Sequence, residues 1–553
     1  MNLRSSITSA SVAAFATSTN TQRNTLPDQV DYLIIGAGAT GLAFADTLLH
    51  HADRSTSVLM IDNHSRSGGQ WLDSYDFVRL HQPSNMYGVE SMKLEPSGED
   101  TSATKNSDNN DMNTEEEAHR ATRSEIVEYY DKVTKMLEEK YDFHFVGDTE
   151  FEMSQLDDQD KLKVVEECAT TTDDDQHQHL RYKLSGGRSI MARKVVDARY
   201  LQPDLPIHVP PKFKYDPKVI NVVPVNTLTT TVADSRDQQQ TQTKHYVIIG
   251  AEKTGMDAIV YLLQHEDVNP DDILWIVPNE AWITARENIG SCMEFLHECT
   301  ELQKKNEVAN NGRRSNIESE DFFQRGFLEW EKKGKIYRFD KDILPTKFKD
   351  ATLSLNELAL IKNVKRVVRN GRVDSIDDSG TIHFAGGTKM LLPWPSSSTT
   401  DTTFVHCSAG AFNYSKQTKK PPPVFSPHRI SLQDVYGTPG FCFVGSIIAK
   451  LESLGTKFTD AEKNAMCAVP TPDPSKLKDP LGPSGGDIGV ISPNHGYVQR
   501  LSNLNNWLQV AEVRNWLVGH RLFNLRQYSA KDIDTLVEET WDVLEEYEIV
   551  SGR

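Results

Sequence analysis

The chain has 553 residues, of which 38% are hydrophobic and 25% charged, and a formal net charge of −19. That length predicts two or three domains. The lack of any apolar run of about 18 residues excludes a spanning helix. The acidic balance excludes a general binder of nucleic acid or anionic membrane.

In chain order, residues 1–27 lack Asp and Glu, carry Arg4 and Arg23, and are rich in Ser and Thr. They read as a disordered tail or an organellar transit peptide, so the expected location is the cytoplasm or an organelle. Tyr32–Ile35 is an apolar strand ending at Gly36, a helical pattern follows through Leu49, and Ser57–Ile61 is the next strand. Thr122 and Glu125 form a capping box that opens a helix over 124–139. The strand, helix, strand order returns at Tyr246–Ile249, through Leu263, and at Ile273–Val277. Such alternation predicts parallel sheets. Residues 364–384 read as an antiparallel ribbon turning at Asn370-Gly371, and 530–548 as a helix. Four polar stretches, 96–118, 169–179, 229–243 and 396–403, read as solvated insertions, because they cannot bury enough apolar surface to offset their ordering entropy. The His- and Asp-rich run at 173–179 belongs to them, as a hairpin tip rather than a metal site.

Two segments carry chemistry. In DYLIIGAGATG, Gly36 makes the tight turn and Gly38 lets the backbone approach a pyrophosphate. Gly41 lets helix and strand pack closely, and the helix N-terminus faces the anion. Asp62 follows about 20 residues beyond Gly41, where an acid hydrogen-bonds a ribose hydroxyl. In HYVIIGAEKTGMD, Gly250 and Gly255 keep the outer positions, but Glu252 stands in the middle. It puts a side chain and a negative charge where a pyrophosphate would lie. This second unit is then either a weakened nucleotide site or one kept for packing.

Downstream lie Asp62, Gly68-Gly69-Gln70-Trp71 and Val78-Arg-Leu-His-Gln-Pro-Ser84. In that order they resemble flavin-containing monooxygenases and Baeyer–Villiger monooxygenases. YDFVRLHQPSNMYGV, VVDARYL, GAEKTGMDA, ILWIVPNEAW and DAEKNAMC are similar to a further, uncharacterised group of FAD/NAD(P)-binding oxidoreductases. The resemblance runs from about Asp31 to about Pro474. It implies an α/β fold with two Rossmann-like dinucleotide-binding domains, the second inserted into the first. The FAD domain would span 28–204 and 396–553, and the NAD(P)-binding-like domain 205–395.

By this resemblance FAD is held by Gly36, Gly38, Gly41, Asp62, Gly69, Trp71 and Gln82, with Arg79 to Gln82 covering the flavin ring. His81 and Arg79 are the candidate catalytic residues, with a hydrogen-bonded packing histidine the alternative for His81. NADPH or NADH would meet Gly250, Lys253, Thr254, Gly255 and Arg286. Arg286 would stand in for an arginine that relatives carry where this chain has Asn279; an exposed surface arginine is the alternative. Phe404–Gly410 would be the return to the FAD domain and Phe441–Ser446 its last strand at the flavin. No monooxygenase fingerprint of the FxGxxxHxxxW type lies between the two glycine motifs. The six cysteines form no CxxC pair and none falls between residues 31 and 160, which excludes flavin disulfide reductases and gives no metal-ligand spacing.

The expected activity is an FAD-dependent oxidoreductase taking hydride from NAD(P)H. It would act like a monooxygenase on a small organic substrate, with molecular oxygen as co-substrate. The alternatives are an oxidoreductase without oxygen insertion and an FAD-holding redox sensor.

Overall fold

The computed structural model describes residues 27–523 except 96–118, 153–177, 238–244, 267, 291, 310–318, 346, 395–398, 410–421, 438–439 and 470–492, together with 531, 534, 535 and 538. The tail, the insertion at 96–118, most of that at 169–179 and most of the helix expected at 530–548 lie outside these residues.

The apolar runs of the two glycine motifs form the central strands of two sheets. Gln29–Ile35 is flanked by Val58–Ile61 and Arg188–Asp197, and the parallel order continues outward to Phe143–Val146 on one side and Arg429–Ser431 on the other. His245–Ile249 is flanked by Ile273–Ile276 and Thr402–His406, continuing to Arg366–Val368 and Val222–Pro224. Both sheets therefore share four parallel strands in the same relative order and differ at one edge, where Arg429–Ser431 comes last in the chain and Val222–Pro224 comes before its central strand. The first sheet also carries two antiparallel strands, Leu180–Leu184 and Phe425–Ser426. Parallel strands are covered on both faces, which is why these segments are nearly continuous Val, Ile and Leu. Leu33, Ile34, Val247 and Ile248 are all fully buried. The protein is thus a mixed α/β fold with parallel sheets.

Each central strand leads through its glycine turn into a helix, Ala39–His51 in the first unit and Lys253–His265 in the second. Ala39–His51 packs against Phe441–Ser453 so closely that a Cβ at Gly445 would lie 2.3 Å from the Thr40 carbonyl oxygen. Phe44 is fully buried there, worth roughly 1.5–3 kcal/mol of transfer free energy. Arg123–Lys140 opens on the Thr122–Glu125 capping box as expected.

Several expectations are corrected. Phe441–Ser446 is the start of the helix Phe441–Ser453, not a strand; the sequence alternates little and its apolar residues serve a helix buried on most sides. The segment from Phe404 does not return to the first sheet, because Thr402–His406 pairs with His245–Ile249. The first sheet is rejoined later, by Arg429–Ser431 against Arg188–Asp197. The stretch 396–403 is not wholly solvated, since Thr402 and Thr403 are buried strand residues. The stretch 229–243 begins inside a helix, Leu228–Asp237. In 364–384 the antiparallel pair is Val373–Ile376 with Ile382–Phe384. Its turn lies at 377–381, while Arg366–Val368 before Asn370-Gly371 joins the second parallel sheet.

Candidate functional site

The first motif folds as its glycines dictate. Gly36 has φ +106°, a region side chains rarely adopt. A Cβ at Gly41 would lie 2.1 Å from the Gly36 carbonyl oxygen. Gly38 is the N-cap of Ala39–His51, with φ −88° and ψ −172°. That conformation is open to any residue, and a Cβ at Gly38 would meet only the Gly69 Cα, at 3.5 Å. Gly69 has φ +55°, and its own Cβ would come within 2.6 Å of the Gly38 Cα. Backbone thus meets backbone at the helix N-terminus, where an anion gains from the free N–H groups and the helix dipole.

Asp62 closes the first loop. Its Oδ2 accepts the Ala37 N–H at 2.6 Å, and its Oδ1 accepts the His64 backbone N–H at 2.9 Å. Gly36, Gly38, Gly41, Asp62 and Gly69 are therefore brought together. Trp71 is buried, with Nε1 donating to the Tyr87 hydroxyl at 2.7 Å. Tyr130 donates to the same oxygen, also at 2.7 Å.

The second motif repeats the backbone. Gly250 has φ +137°, and a Cβ at Gly255 would lie 2.3 Å from the Gly250 carbonyl oxygen. Glu252 is the N-cap, with φ −93° and ψ −174°. Lys253 is buried and ion-paired with Asp257 one turn on. Tyr75, from the segment after the first unit's second strand, donates its hydroxyl to Asp257 Oδ2 at 2.7 Å. Thr254 also hydrogen-bonds the Tyr75 side chain. Phe77 stacks on Tyr261 of the same helix, ring centroids 4.3 Å apart. Residues 75–82 are thus the strap between the two units.

Arg286 is buried rather than an exposed surface arginine. Its Nη2 donates to Glu357 Oε2 at 2.6 Å and its Nε to the His81 carbonyl oxygen at 3.0 Å. Arg120 reaches the other Glu357 oxygen at 3.1 Å. Burial alone would raise the Glu357 pKa, but Lys253, Arg120 and Arg286 outweigh it and bring it down to about 2. The His81 imidazole is pushed down to about 4, first by burial and then by Lys253, with Asp257 pulling the other way and Arg286 and Arg120 adding to the push. His81 is therefore neutral near pH 7, able to donate one hydrogen bond and accept another. Arg79 is exposed, with Nη1 on the Arg120 carbonyl at 3.2 Å, and Gln82 is half-buried.

The sequence alone does not single out Tyr75, Arg120, Asp257 or Glu357. The Lys253-to-Asp257 spacing of four was the available signal, since such residues share a helix face. Of the cysteines, Cys299, Cys407, Cys442 and Cys467 are free and buried. Burial, and then Asp257, pushes the Cys407 thiol up, so it stays protonated. Among the described residues no helix is long and apolar enough to cross a membrane, and no group of His, Cys, Asp and Glu could hold a metal ion.

The family described as "NAD(P)-binding Rossmann-like domain" matches residues 34–88, which cover the first glycine turn, Asp62 and the strap. Uncharacterised proteins of Mycobacterium tuberculosis and Mycobacterium bovis are each 29% identical over 499 residues, 89% of this chain and 77% of theirs. Among solved structures, the chain is similar to a flavin-containing monooxygenase from Stenotrophomonas maltophilia, at 14% identity and TM-score 0.36, over 74% of this chain and 86% of that one. It is also similar to cyclohexanone monooxygenase, at 13% identity and TM-score 0.40, over 78% and 88%.

Proposed function

We propose that this protein is an FAD-dependent oxidoreductase that takes hydride from NADPH or NADH and acts as a monooxygenase on a small organic substrate. The observation that carries this reading is the first cradle. Gly38 presents bare backbone at a helix N-terminus, Gly69 faces it, and Asp62 stands at the end of the neighbouring strand. A dinucleotide fits there, with its pyrophosphate over Gly38 and a ribose at Asp62. Bound FAD would supply the redox chemistry, passing electrons from the nicotinamide to oxygen.

The domains would be 28–204 with the chain after about 407 for FAD, and the intervening residues for the nicotinamide nucleotide. The match over residues 34–88 and the pairing of Arg429–Ser431 with the first sheet support this division. The chain's own residues have distinct tasks in this reading. Trp71 is fixed by Tyr87 as a wall of the flavin site. Residues 75–82 close the cleft between units against water, and neutral His81 offers a hydrogen bond to substrate or cofactor. Arg79, exposed beside Arg120, is the candidate for contacting an anionic substrate group. Gln82 would line the flavin ring. Gly250, Thr254 and Gly255 would receive the nicotinamide nucleotide. Lys253 and Arg286 would contact its phosphates only after giving up Asp257 and Glu357.

A second reading has its own support. Glu252 occupies the place of Gly38, and Val277 follows Ile273–Ile276 where Asp62 follows Val58–Ile61. Both changes disfavour a nucleotide in the second unit. They favour an oxidoreductase fed from elsewhere, or an FAD-holding redox sensor. Anaerobic mixing of the purified protein with NADPH and with NADH decides between them. Loss of flavin absorbance with either nucleotide, followed by oxygenated product on admitting air and substrate, is the expected result. Reduction without oxygenated product leaves an oxidoreductase without oxygen insertion, and no reduction by either leaves the oxidoreductase fed from elsewhere or the sensor. A protein that neither carries FAD nor takes it up on reconstitution overturns both.

A further inference from the structure

His64 is the residue around which the first cradle is tied together, and it lies outside both glycine motifs. Its ring nitrogens face two carboxylates, Nδ1 at 2.7 Å from Asp62 Oδ1 and Nε2 at 2.9 Å from Asp73 Oδ2. The ring is about a quarter exposed, and both carboxyl groups are less than a third exposed. Asp73 also receives His208 Nε2 at 3.1 Å, and its backbone carbonyl accepts Asn226 Nδ2 at 2.6 Å. A continuous chain therefore runs from the Ala37 N–H through Asp62, His64 and Asp73 to residues next to the second sheet.

Lone-pair accounting shows what this arrangement does. A carboxylate has about four acceptor sites. The backbone N–H and Nδ1 of His64 take both sites of Asp62 Oδ1, and Ala37 takes one of Oδ2. Among the described residues one acceptor site is left, on Oδ2, the oxygen that meets Ala37 of the glycine loop. We propose that His64 is the positioning residue of the dinucleotide site, which by bonding Asp62 and Asp73 at once turns a single Asp62 oxygen toward one ribose hydroxyl. The proposal rests on the reading that the first unit holds FAD.

Two ring N–H donors are needed, which is the protonated imidazole. Burial alone would lower the His64 pKa, but the hydrogen bonds and charges of Asp62 and Asp73 outweigh it and raise it. Among the described residues these two carboxylates are the charged groups on the ring, with His208 behind Asp73. A histidine with a raised folded pKa contributes fully below its ordinary value near about 6.5 and loses that contribution as pH rises through the folded value. When the proton leaves, one nitrogen lone pair faces a carboxylate.

The test is FAD binding to the apoprotein across pH, followed by flavin fluorescence, alongside its thermal unfolding without FAD. The wild type should bind best at mildly acidic pH and weaken about tenfold or more toward alkaline pH, because a hydrogen bond to a charged group is worth about 1.5–3 kcal/mol. His64→Gln should bind about tenfold more weakly at acidic pH and show a flat profile. Should His64→Gln not fold, Asp73→Asn decides: losing one anion lowers the His64 pKa, so the fall in affinity should move to lower pH. A His64→Gln protein with wild-type affinity and slope, or an Asp73→Asn profile that does not move, overturns the role of His64 alone. A wild type that binds no FAD at any pH overturns the cofactor reading, and with it the proposal. The unfolding midpoint without FAD then shows separately whether the clamp itself titrates.

Discussion

The two glycine turns share a backbone and differ in chemistry. Gly36 N–H bonds the Ile61 carbonyl at 2.8 Å, and Gly250 N–H bonds the Ile276 carbonyl at 3.2 Å. Ala198 N–H meets Ile35 and Cys407 N–H meets Ile249, both at 3.0 Å. In each unit the outer glycines are required by sterics. The first has a positive φ, and the last has no room for a Cβ against the first one's carbonyl. The middle position carries no such demand, because Gly38 and Glu252 have nearly the same extended φ and ψ. The fold therefore does not require a glycine at the middle position. The second unit keeps what folding needs and, on the proposed reading, lacks the middle glycine and the acid that a pyrophosphate and a ribose would use.

The largest effect should come from making the first unit like the second. Gly38→Glu is expected to fold, since Glu252 shows that this backbone accepts a glutamate. It should purify without FAD, because side chain and charge would fill the pyrophosphate's place. Flavin absorbance per protein is the measurement, and a yellow variant would break the comparison. The next largest effect concerns the lock between the units. Glu357→Gln leaves Arg120 and Arg286 without their shared anion, and removing one partner of a buried pair costs about 3–5 kcal/mol. Urea unfolding should show that loss near neutral pH. The Glu357 pKa is depressed to about 2. Its contribution is thus present above the ordinary carboxylate range and disappears as pH falls toward 2. The variant and the wild type should therefore converge in acid.

The sequence made the parallel sheets and both turns legible for a physical reason. Buried strands are apolar runs, and turns with positive φ demand glycine. The same reasoning failed at Phe441–Ser446, where an apolar run of strand length begins a buried helix. It also failed at Thr402 and Thr403, because threonine reads as solvated loop but packs well in a strand. At the site, Gly36, Gly38, Gly41 and Asp62 could be read because a motif fixes their spacing. Tyr75, Arg120 and Glu357 could not, because their partners lie more than 70 residues away along the chain. Arg286 was legible only as a cation. Its commitment to Glu357 is a tertiary fact.

Making the second unit like the first should have a smaller effect. Glu252 would repel a pyrophosphate by roughly 4 kcal/mol for unit charges about 4 Å apart at an effective dielectric near 20. Solvent and rotation of the carboxylate reduce this to about 1.4–2.8 kcal/mol at low salt, or one to two orders of magnitude in affinity. Glu252→Gly should tighten NADPH or NADH by that factor and speed flavin reduction, leaving FAD content unchanged. Glu252→Gln should recover only part, because it removes charge and keeps bulk. Slower reduction in Glu252→Gly would show that the carboxylate assists the nucleotide. It would also break the equivalence of the two middle positions.

The smallest effect should come from the residue beneath the second turn. Cys407 follows Thr402–His406 as Ala198 follows Arg188–Asp197, and each makes the same backbone bond to its central strand. A Cβ at Gly250 would lie 2.8 Å from the Cys407 carbonyl oxygen, so what supports the turn is the Cys407 backbone. Its thiol is buried and held protonated, and a protonated thiol is neither a nucleophile nor an electron carrier. Cys407→Ala copies the first unit at this place. It should keep its FAD, alter the rate of flavin reduction by NAD(P)H less than about twofold, and cost about 1 kcal/mol for the lost sulfur packing. Stopped-flow reduction together with urea unfolding tests both parts. Complete loss of turnover with FAD retained would make Cys407 a redox partner and end the view of it as packing. A stability loss near 1 kcal/mol with unchanged reduction would show that the two turns rest on the same backbone support, whatever side chain lies below.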